Sequence, residues 1–130
     1  MPTAEPQTAV PPQLGDQIIV EALRHGQTVH LRAVSRSMAP AILPGDLLLV
    51  RDEPLAEGDI AVYWRRGAWV THRVAARKEG GYAVRADSAP SAVEYVAAGQ
   101  VVGRVTAVRH DWFRWRQRFR RVLAWIKSLR

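Results

Sequence analysis

A serine in the first third of the chain has the surroundings of a catalytic nucleophile. Ser37 lies in the run S-R-S-M-A-P-A-I-L-P-G-D, which occupies residues 35–46. Two prolines stiffen the backbone behind the hydroxyl, and Gly45-Asp46 turns it back. A nucleophile needs a rigid backbone and nearby N–H groups that receive a developing oxyanion, and this segment is able to supply both. Taken as turn chemistry alone, the same residues make an ordinary loop.

A histidine and an aspartate further along suit a base and its orienting acid. His72 lies in the apolar stretch W-V-T-H-R-V-A, and an imidazole, with its ordinary pKa of about 6.5, transfers protons well near neutral pH. Asp87 follows a short predicted strand, where a carboxylate is able to hold an imidazole in one tautomer. Each has a plainer explanation, namely a half-buried histidine with satisfied hydrogen bonds and an aspartate that caps a turn.

The elements that would position these residues are mostly short strands. Helical spacing of apolar residues predicts a helix over 14–25, which Gly26 ends. Alternation then predicts strands from residue 28 onward and over 47–51, 60–64, 68–77, 82–86 and 101–109. Tight turns at Arg65-Arg66-Gly67 and Gly80-Gly81 join several of them. We therefore expect a mainly β, barrel-like domain of short strands, with a short N-terminal helix and a C-terminal amphipathic helix.

Length and composition fit one domain with two appended segments. The chain has 130 residues, of which 48% are hydrophobic, and this is enough for one core. It contains no cysteine, so disulfides and cysteine-held metals are excluded. We predict a flexible, proline-rich leader over residues 1–13, one domain over 14–110 and a basic amphipathic helix over 111–130.

The order and spacing of the motifs resemble the type I signal peptidase family. The pattern is S-x-S-M-x-P, then P-G-D before a strand, then G-D-I-A-V-Y, then H-R-V and finally a loop aspartate, and it covers about residues 28–109. More narrowly, it looks like the Ser–His branch of archaea, the endoplasmic reticulum and some spore-forming bacteria. In the commoner bacterial branch, and in the related self-cleaving repressor peptidases, a lysine is the base at the position of His72. Lys78 and Lys127 are the only lysines here, and neither suits that role.

The resemblance implies roles for the residues of the first two motifs. Ser37 matches the nucleophile and His72 the general base. Met38 and Pro40 match the box that shapes the site. Ser35 stands where some bacterial members place a hydroxyl that stabilises the oxyanion.

The orienting acid has two candidates. Asp87 matches the first family aspartate, although Ala86-Asp87-Ser88-Ala89 departs from the usual Gly-Asp-x-Asn. The family often has a second acid about six residues later, where this chain has Val93 followed by Glu94. Either Asp87 or Glu94 would then orient His72.

What the resemblance implies is a serine endopeptidase that cleaves a peptide or precursor protein without a metal or cofactor. It also implies an extended substrate with small side chains near the cut, bound along a strand edge. The alternative, favoured by the altered aspartate motif, is a catalytically weak or inactive β-domain that binds a peptide or a membrane-associated partner. A regulator that cleaves itself is disfavoured because the lysine base is missing.

The net charge of +7 is concentrated at the C-terminal end. Residues 111–130 carry seven cationic side chains and one acidic side chain, whereas the first 110 residues have a net charge of +1. The apolar residues recur at spacings of three and four, which places them in one stripe: Trp112, Trp115, Phe119, Val122, Ile126 and Leu129. The stripe could pack on the domain, or the helix could lie on an anionic membrane surface. Nucleic acid is disfavoured as a partner because no second helix completes a helix-turn-helix.

Localisation follows from the same patterns. No apolar run approaches the roughly 18–20 residues that cross a bilayer, and residues 1–12 lack the charged and apolar parts of a secretory signal. We expect either a peripheral membrane protein or a cytoplasmic one.

Overall fold

One helix precedes an antiparallel sheet of seven strands in the computed structural model, which describes residues 13–111, 120–121 and 123–129. The elements are α1 (Leu14–Arg24), β1 (Val29–Arg32), β2 (Leu47–Arg51), β3 (Ile60–Arg65), β4 (Ala68–Lys78), β5 (Gly81–Ala86), β6 (Ala89–Ala97) and β7 (Val101–Arg109). A 3-10 turn, Ala98–Gln100, joins the last two strands. Residues 120–121 and 123–128 are also helical. The predicted helix over 14–25 and the mainly β composition are confirmed.

The sheet is open, so the expected barrel is wrong in this respect. The strand order is β1-β2-β7-β3-β4-β5-β6, which leaves β1 and β6 as edges. Register shifts between Val74 and Ala76 and between Arg85 and Ala86 interrupt the ladders of β4–β5 and β5–β6. Such bulges increase local twist and curl a sheet without closing it.

A two-residue turn fixes the register of the strand that carries His72. Arg66 and Gly67 both have positive φ, 50° and 82°, as the tight hairpin turns that match strand twist require. Arg65 and Ala68, which flank the turn, pair with each other, and this fixes the register of β3 against β4. In this register Ala61 pairs with His72. The predicted hairpin tip therefore determines which face of the sheet His72 occupies.

Strand β6 was not predicted from the sequence. Pro90 lies near its start and argues against a strand, because proline cannot donate to a ladder. The structure accommodates Pro90 because β6 is an edge strand, where one side of the backbone needs no partner. Glu94 lies on this strand, opposite Val84 of β5.

Two apolar clusters form the core. The first lies between α1 and the sheet and includes Leu23, Met38 and Val62, all at most 1% exposed. A hydrogen bond of 2.9 Å from Trp69 Nε1 to Asp16 Oδ1 ties α1 to β4. The second cluster is contributed by β3, β4, β5, β6 and the loop before β3, and it contains Tyr63. Four strands share this cluster because the sheet curls around it.

The appended segments are only partly covered by the structure. The predicted leader lies outside the described residues except for Gln13, which begins α1. Within the described part of the predicted basic helix, residues 120–121 and 123–129 are all exposed. Among the described residues, we find no helix with the length and apolar character needed to cross a bilayer.

Candidate functional site

Ser37 and His72 line the same cavity. It has a volume of about 500 Å³ and lies between the strand edge at β1, the loop that carries Ser37, and β4. Its walls are largely apolar, with Leu31, Met38 and Trp69 among the lining side chains. The two residues that the sequence analysis paired therefore lie in the wall of one cavity.

Core packing holds the loop that carries Ser37, residues 35–46, here called the serine loop. The side chain of Met38, next to Ser37, is 1% exposed and packs in the first core cluster with Ile42. The Ile42 N–H donates to the Met38 carbonyl at 2.9 Å, which closes a turn between the two anchors. Ser37 itself is half-buried at the cavity. Met38 thus anchors the loop that carries Ser37 in the first core cluster.

The ends of the serine loop are tied together by the backbone. The Ala33 N–H donates to the Asp46 carbonyl at 2.8 Å, and the Gly45 N–H donates to the Ala33 carbonyl at 2.7 Å. Gly45 has a φ of 94°, a conformation that glycine adopts without steric cost. The P-G-D turn therefore leads the chain into β2, and these two hydrogen bonds hold the start and the end of the loop together.

Ser35 lies beside the proposed nucleophile. Its Oγ is 3.1 Å from Ser37 Oγ and accepts a hydrogen bond of 3.4 Å from the Ser37 N–H. Two donors, the Ser35 hydroxyl and the Ser37 N–H, therefore lie next to the oxygen that would attack. Such an arrangement is able to stabilise a developing oxyanion.

Ser88 holds the backbone of Ser37 at its carbonyl group. Its N–H and its hydroxyl both donate to the Ser37 carbonyl at 3.0 Å. Because two donors converge on one carbonyl, the peptide that follows Ser37 is fixed in orientation. The loop after β5 thus contacts the serine directly, a contact that the sequence analysis did not predict.

A chain of hydrogen bonds supports His72. The Tyr63 hydroxyl lies 2.8 Å from His72 Nδ1 and donates to Glu94 Oε1, also at 2.8 Å. Arg65 forms an ion pair with Glu94 at the other carboxylate oxygen. We call these four residues the histidine network. They come from β3, β4 and β6, so the curl of the sheet assembles them.

Proton counting fixes the tautomer of His72. A phenol has one proton, and the structure assigns it to the hydrogen bond with Glu94, which as a carboxylate only accepts. His72 Nδ1 must then carry a proton and donate it to the Tyr63 oxygen. The lone pair remains on Nε2, and no hydrogen bond within the described chain occupies that nitrogen. His72 is therefore held in the tautomer that a general base requires.

Electrostatics keep the network in this state. Burial lowers the pKa of His72 below its ordinary value, although the negative charge of Glu94 opposes the shift. Burial raises the pKa of Glu94, but the hydrogen bond from Tyr63 and the charge of Arg65 outweigh it and leave that pKa lowered. Burial and the bond to Glu94 raise the pKa of Tyr63 well above its ordinary value. Near neutral pH the three groups are thus a neutral imidazole, a carboxylate and a protonated phenol.

Asp87 lies opposite Arg73 rather than in the histidine network. Its two carboxylate oxygens accept from Arg73 Nε and Nη2 at 2.8 and 2.7 Å, a bidentate pair. This hydrogen bonding lowers the pKa of Asp87 and raises that of Arg73. Arg73 also donates to the Gly58 carbonyl at 2.8 Å. In this arrangement Asp87 fixes the loop that places Ser88 on Ser37, and of the two candidate acids it is Glu94 that contacts His72.

Pro40, which the resemblance placed in the site-shaping box, is exposed in the turn after Met38 and is not among the cavity-lining residues.

The described structure shows no direct hydrogen bond between Ser37 Oγ and His72; the Ser37 hydroxyl pairs with Ser35 instead. Hydrogen bonds between catalytic groups are often absent in free enzymes and form with bound substrate.

The sequence contained a signal for Tyr63. Counting back from the Arg66-Gly67 turn pairs Ala61 with His72, and Tyr63 is two residues from Ala61 on the same face of β3. Diagonal neighbours at that spacing are within reach of an aromatic side chain. Glu94 had no comparable signal because it is not on a strand adjacent to β3 or β4.

Neither a metal site nor a known relative points to a function for the described residues. Within the described residues, no group of three or more His, Asp or Glu side chains is placed to hold a metal ion. Comparison with known proteins finds no matching family model and no matching curated protein. The assignment of a function therefore depends on the residues and their geometry.

Proposed function

We propose that this protein is a serine endopeptidase with Ser37 as nucleophile, His72 as general base and Glu94, acting through Tyr63, as the orienting acid. The observation that supports it most is the single tautomer of His72, which leaves Nε2 basic in a residue that shares a cavity with Ser37. A histidine that served only in packing would not need a buried phenol and a carboxylate at Nδ1.

The chemistry follows from this arrangement. His72 Nε2 takes the Ser37 hydroxyl proton while Ser37 Oγ bonds to a peptide carbonyl carbon, and the Ser35 hydroxyl and Ser37 N–H donate to the oxyanion. The proton on His72 then goes to the leaving amine as the C–N bond breaks. Water attacks the resulting ester, gives a proton to His72, and Ser37 recovers its proton as the acid product leaves. Glu94 and Tyr63 stabilise the imidazolium that forms at each attack.

The cavity favours an extended and uncharged peptide as the substrate. Strand β1 is at an edge of the sheet, so among the described residues one side of its backbone has no strand partner. The chain continues from β1 along the cavity wall through Val34, whose side chain is 85% exposed. An unpaired edge beside an apolar cavity suits a peptide that adds as a strand and inserts alternate side chains. Arg65 and Arg32 also line the cavity, which disfavours basic substrate side chains.

The alternative is a peptide-binding domain without hydrolysis. It is favoured by the Ser37 hydroxyl, which pairs with Ser35 in this structure rather than with His72. Such a domain would use the same edge and cavity but would not acylate Ser37. The two proposals therefore differ in the reactivity of one hydroxyl.

Labelling with a fluorophosphonate probe tests that difference. We expect the probe to modify Ser37, located by mass spectrometry of the digested protein, because a hydroxyl with a positioned base is far more reactive than a free serine. Labelling should disappear in Ser37→Ala and persist in Ser91→Ala, a matched change at an exposed serine on β6. A wild-type protein that resists the probe and yet binds library peptides at the cavity would establish the alternative. Equal labelling of Ser37→Ala and wild type would exclude Ser37 as nucleophile.

A further inference from the structure

Beyond peptide hydrolysis, the C-terminal segment bears an exposed apolar surface. The described residues of this segment include Leu123, Trp125, Ile126 and Leu129, with 39%, 64%, 47% and 66% of their surface exposed. Large apolar side chains that cluster on a surface indicate an interaction site. Of the predicted stripe, Ile126 and Leu129 are among the described residues, and both are exposed rather than packed on the domain.

Charge and apolar residues are separated around this segment. At about 100° per residue, the four apolar side chains fall within an arc of about 160° on a helix, and Arg120, Arg121 and Lys127 fall outside it. The three cations are exposed. A helix with one apolar side that includes a tryptophan, and cations around the rest, has the character of helices that lie in a membrane interface.

We propose that residues 120–129 dock the protein on an anionic lipid bilayer surface. Residues 112–130 contain seven cations and no acidic residue, so the segment repels a second copy of itself and attracts anionic headgroups. Nucleic acid would satisfy the cations but would leave the apolar arc in water. An anionic lipid surface satisfies both features.

The root of the segment is fastened to the body of the protein. Asp46, 1% exposed, accepts hydrogen bonds from His110 Nδ1 at 2.9 Å and from the Asp111 N–H at 3.2 Å. The same carboxylate accepts from the Leu43 N–H of the serine loop at 2.9 Å. His110 and Asp111, the last residues described before this segment, are therefore held at the turn that closes the serine loop.

Vesicle co-sedimentation of the full chain tests the proposal. We expect pelleting with phosphatidylcholine vesicles that contain about one third phosphatidylglycerol, weak pelleting with phosphatidylcholine alone, and loss of binding as salt is raised. Arg120→Glu/Lys127→Glu should weaken binding at least about twenty-fivefold, the product of about fivefold for each cation. Trp125→Ser/Ile126→Ser should weaken it at least about tenfold. Arg77→Glu/Lys78→Glu, an equal charge change at the exposed end of β4, should leave binding within about twofold.

Other outcomes would overturn the proposal. Equal pelleting with neutral and anionic vesicles, or an equal loss in the β4 control, would exclude specific docking by the segment. Binding to a single-stranded oligonucleotide that survives the apolar variant, without vesicle binding, would assign nucleic acid instead. Self-association that the apolar variant abolishes, again without vesicle binding, would assign a second copy. Circular dichroism of each variant verifies that the sheet remains folded.

Discussion

The serine loop and the histidine network position their side chains by different physical means. Core packing and backbone hydrogen bonds position Ser37, because Met38 is buried and Ser88 donates twice to the Ser37 carbonyl. Hydrogen bonds between polar side chains position His72, through Tyr63 and Glu94. Damage to the first region should therefore appear as lost stability, and damage to the second as altered proton transfer in a folded protein.

The largest effect expected is on reactivity, from loss of the base. His72→Ala should lower the rate of Ser37 labelling, or of peptide turnover, by about 10³-fold or more. The fold should survive, because the Tyr63 hydroxyl keeps its bond to Glu94. Labelling kinetics and a thermal melt measure the two properties. A variant that unfolds at the wild-type labelling temperature would show that the histidine network stabilises the fold, and would contradict its assignment to proton transfer alone.

The serine loop should respond in the opposite way. Met38→Ala leaves a cavity beneath Ser37 and should lower the free energy of unfolding by about 2–5 kcal/mol. Met38→Leu, which nearly conserves volume, should cost less than about 1.5 kcal/mol. Urea denaturation measures both. If Met38→Ala retains wild-type stability but loses Ser37 labelling, the loop is not held by its core contact.

A smaller effect is expected from Tyr63, which connects the acid to the base. Tyr63→Phe removes both hydrogen bonds of the phenol, so His72 is no longer held in one tautomer, and labelling of Ser37 should fall by about 10- to 100-fold. The free energy of unfolding should change by about 1 kcal/mol for each lost bond. Tyr82→Phe, an aromatic position of β5, serves as control and should leave labelling unchanged. Wild-type labelling in Tyr63→Phe would indicate that Glu94 does not act through Tyr63.

The smallest change expected is a shift of the His72 titration without loss of structure. Glu94 raises and Arg65 lowers the pKa of His72, so Glu94→Gln should move it further down and Arg65→Gln should move it up. Long-range proton–nitrogen spectra measure this titration without a substrate, and His72→Ala assigns the signal. Because the folded pKa of His72 lies below its unfolded value of about 6.5, its contribution to stability is present above that pH and declines as pH falls. Shifts of the same sign in both variants would contradict the arrangement of charges described here.

Much of this protein could be predicted from local sequence patterns. Helical spacing located α1, and alternation with turn chemistry located six of the seven strands, because a hydrophobic period and a tight turn are properties of neighbouring residues. The Arg66-Gly67 turn even fixed the register that places His72 on its face of β4. The missed strand, β6, carries Pro90, and only its place at the sheet edge makes that residue compatible with a strand.

The sequence by itself determined the residue types that make chemistry possible: a serine in a loop stiffened by two prolines, and a histidine in an apolar strand. It left two acids, Asp87 and Glu94, as candidates for orienting that histidine. Only the tertiary structure separated them, by placing Asp87 on Arg73 and Glu94 within reach of Tyr63. In a flat sheet β3 and β6, three strand spacings apart, would be separated by about 14 Å. Curvature that arises from the whole sheet brings Tyr63 and Glu94 together, and no local pattern in the chain encodes that curvature.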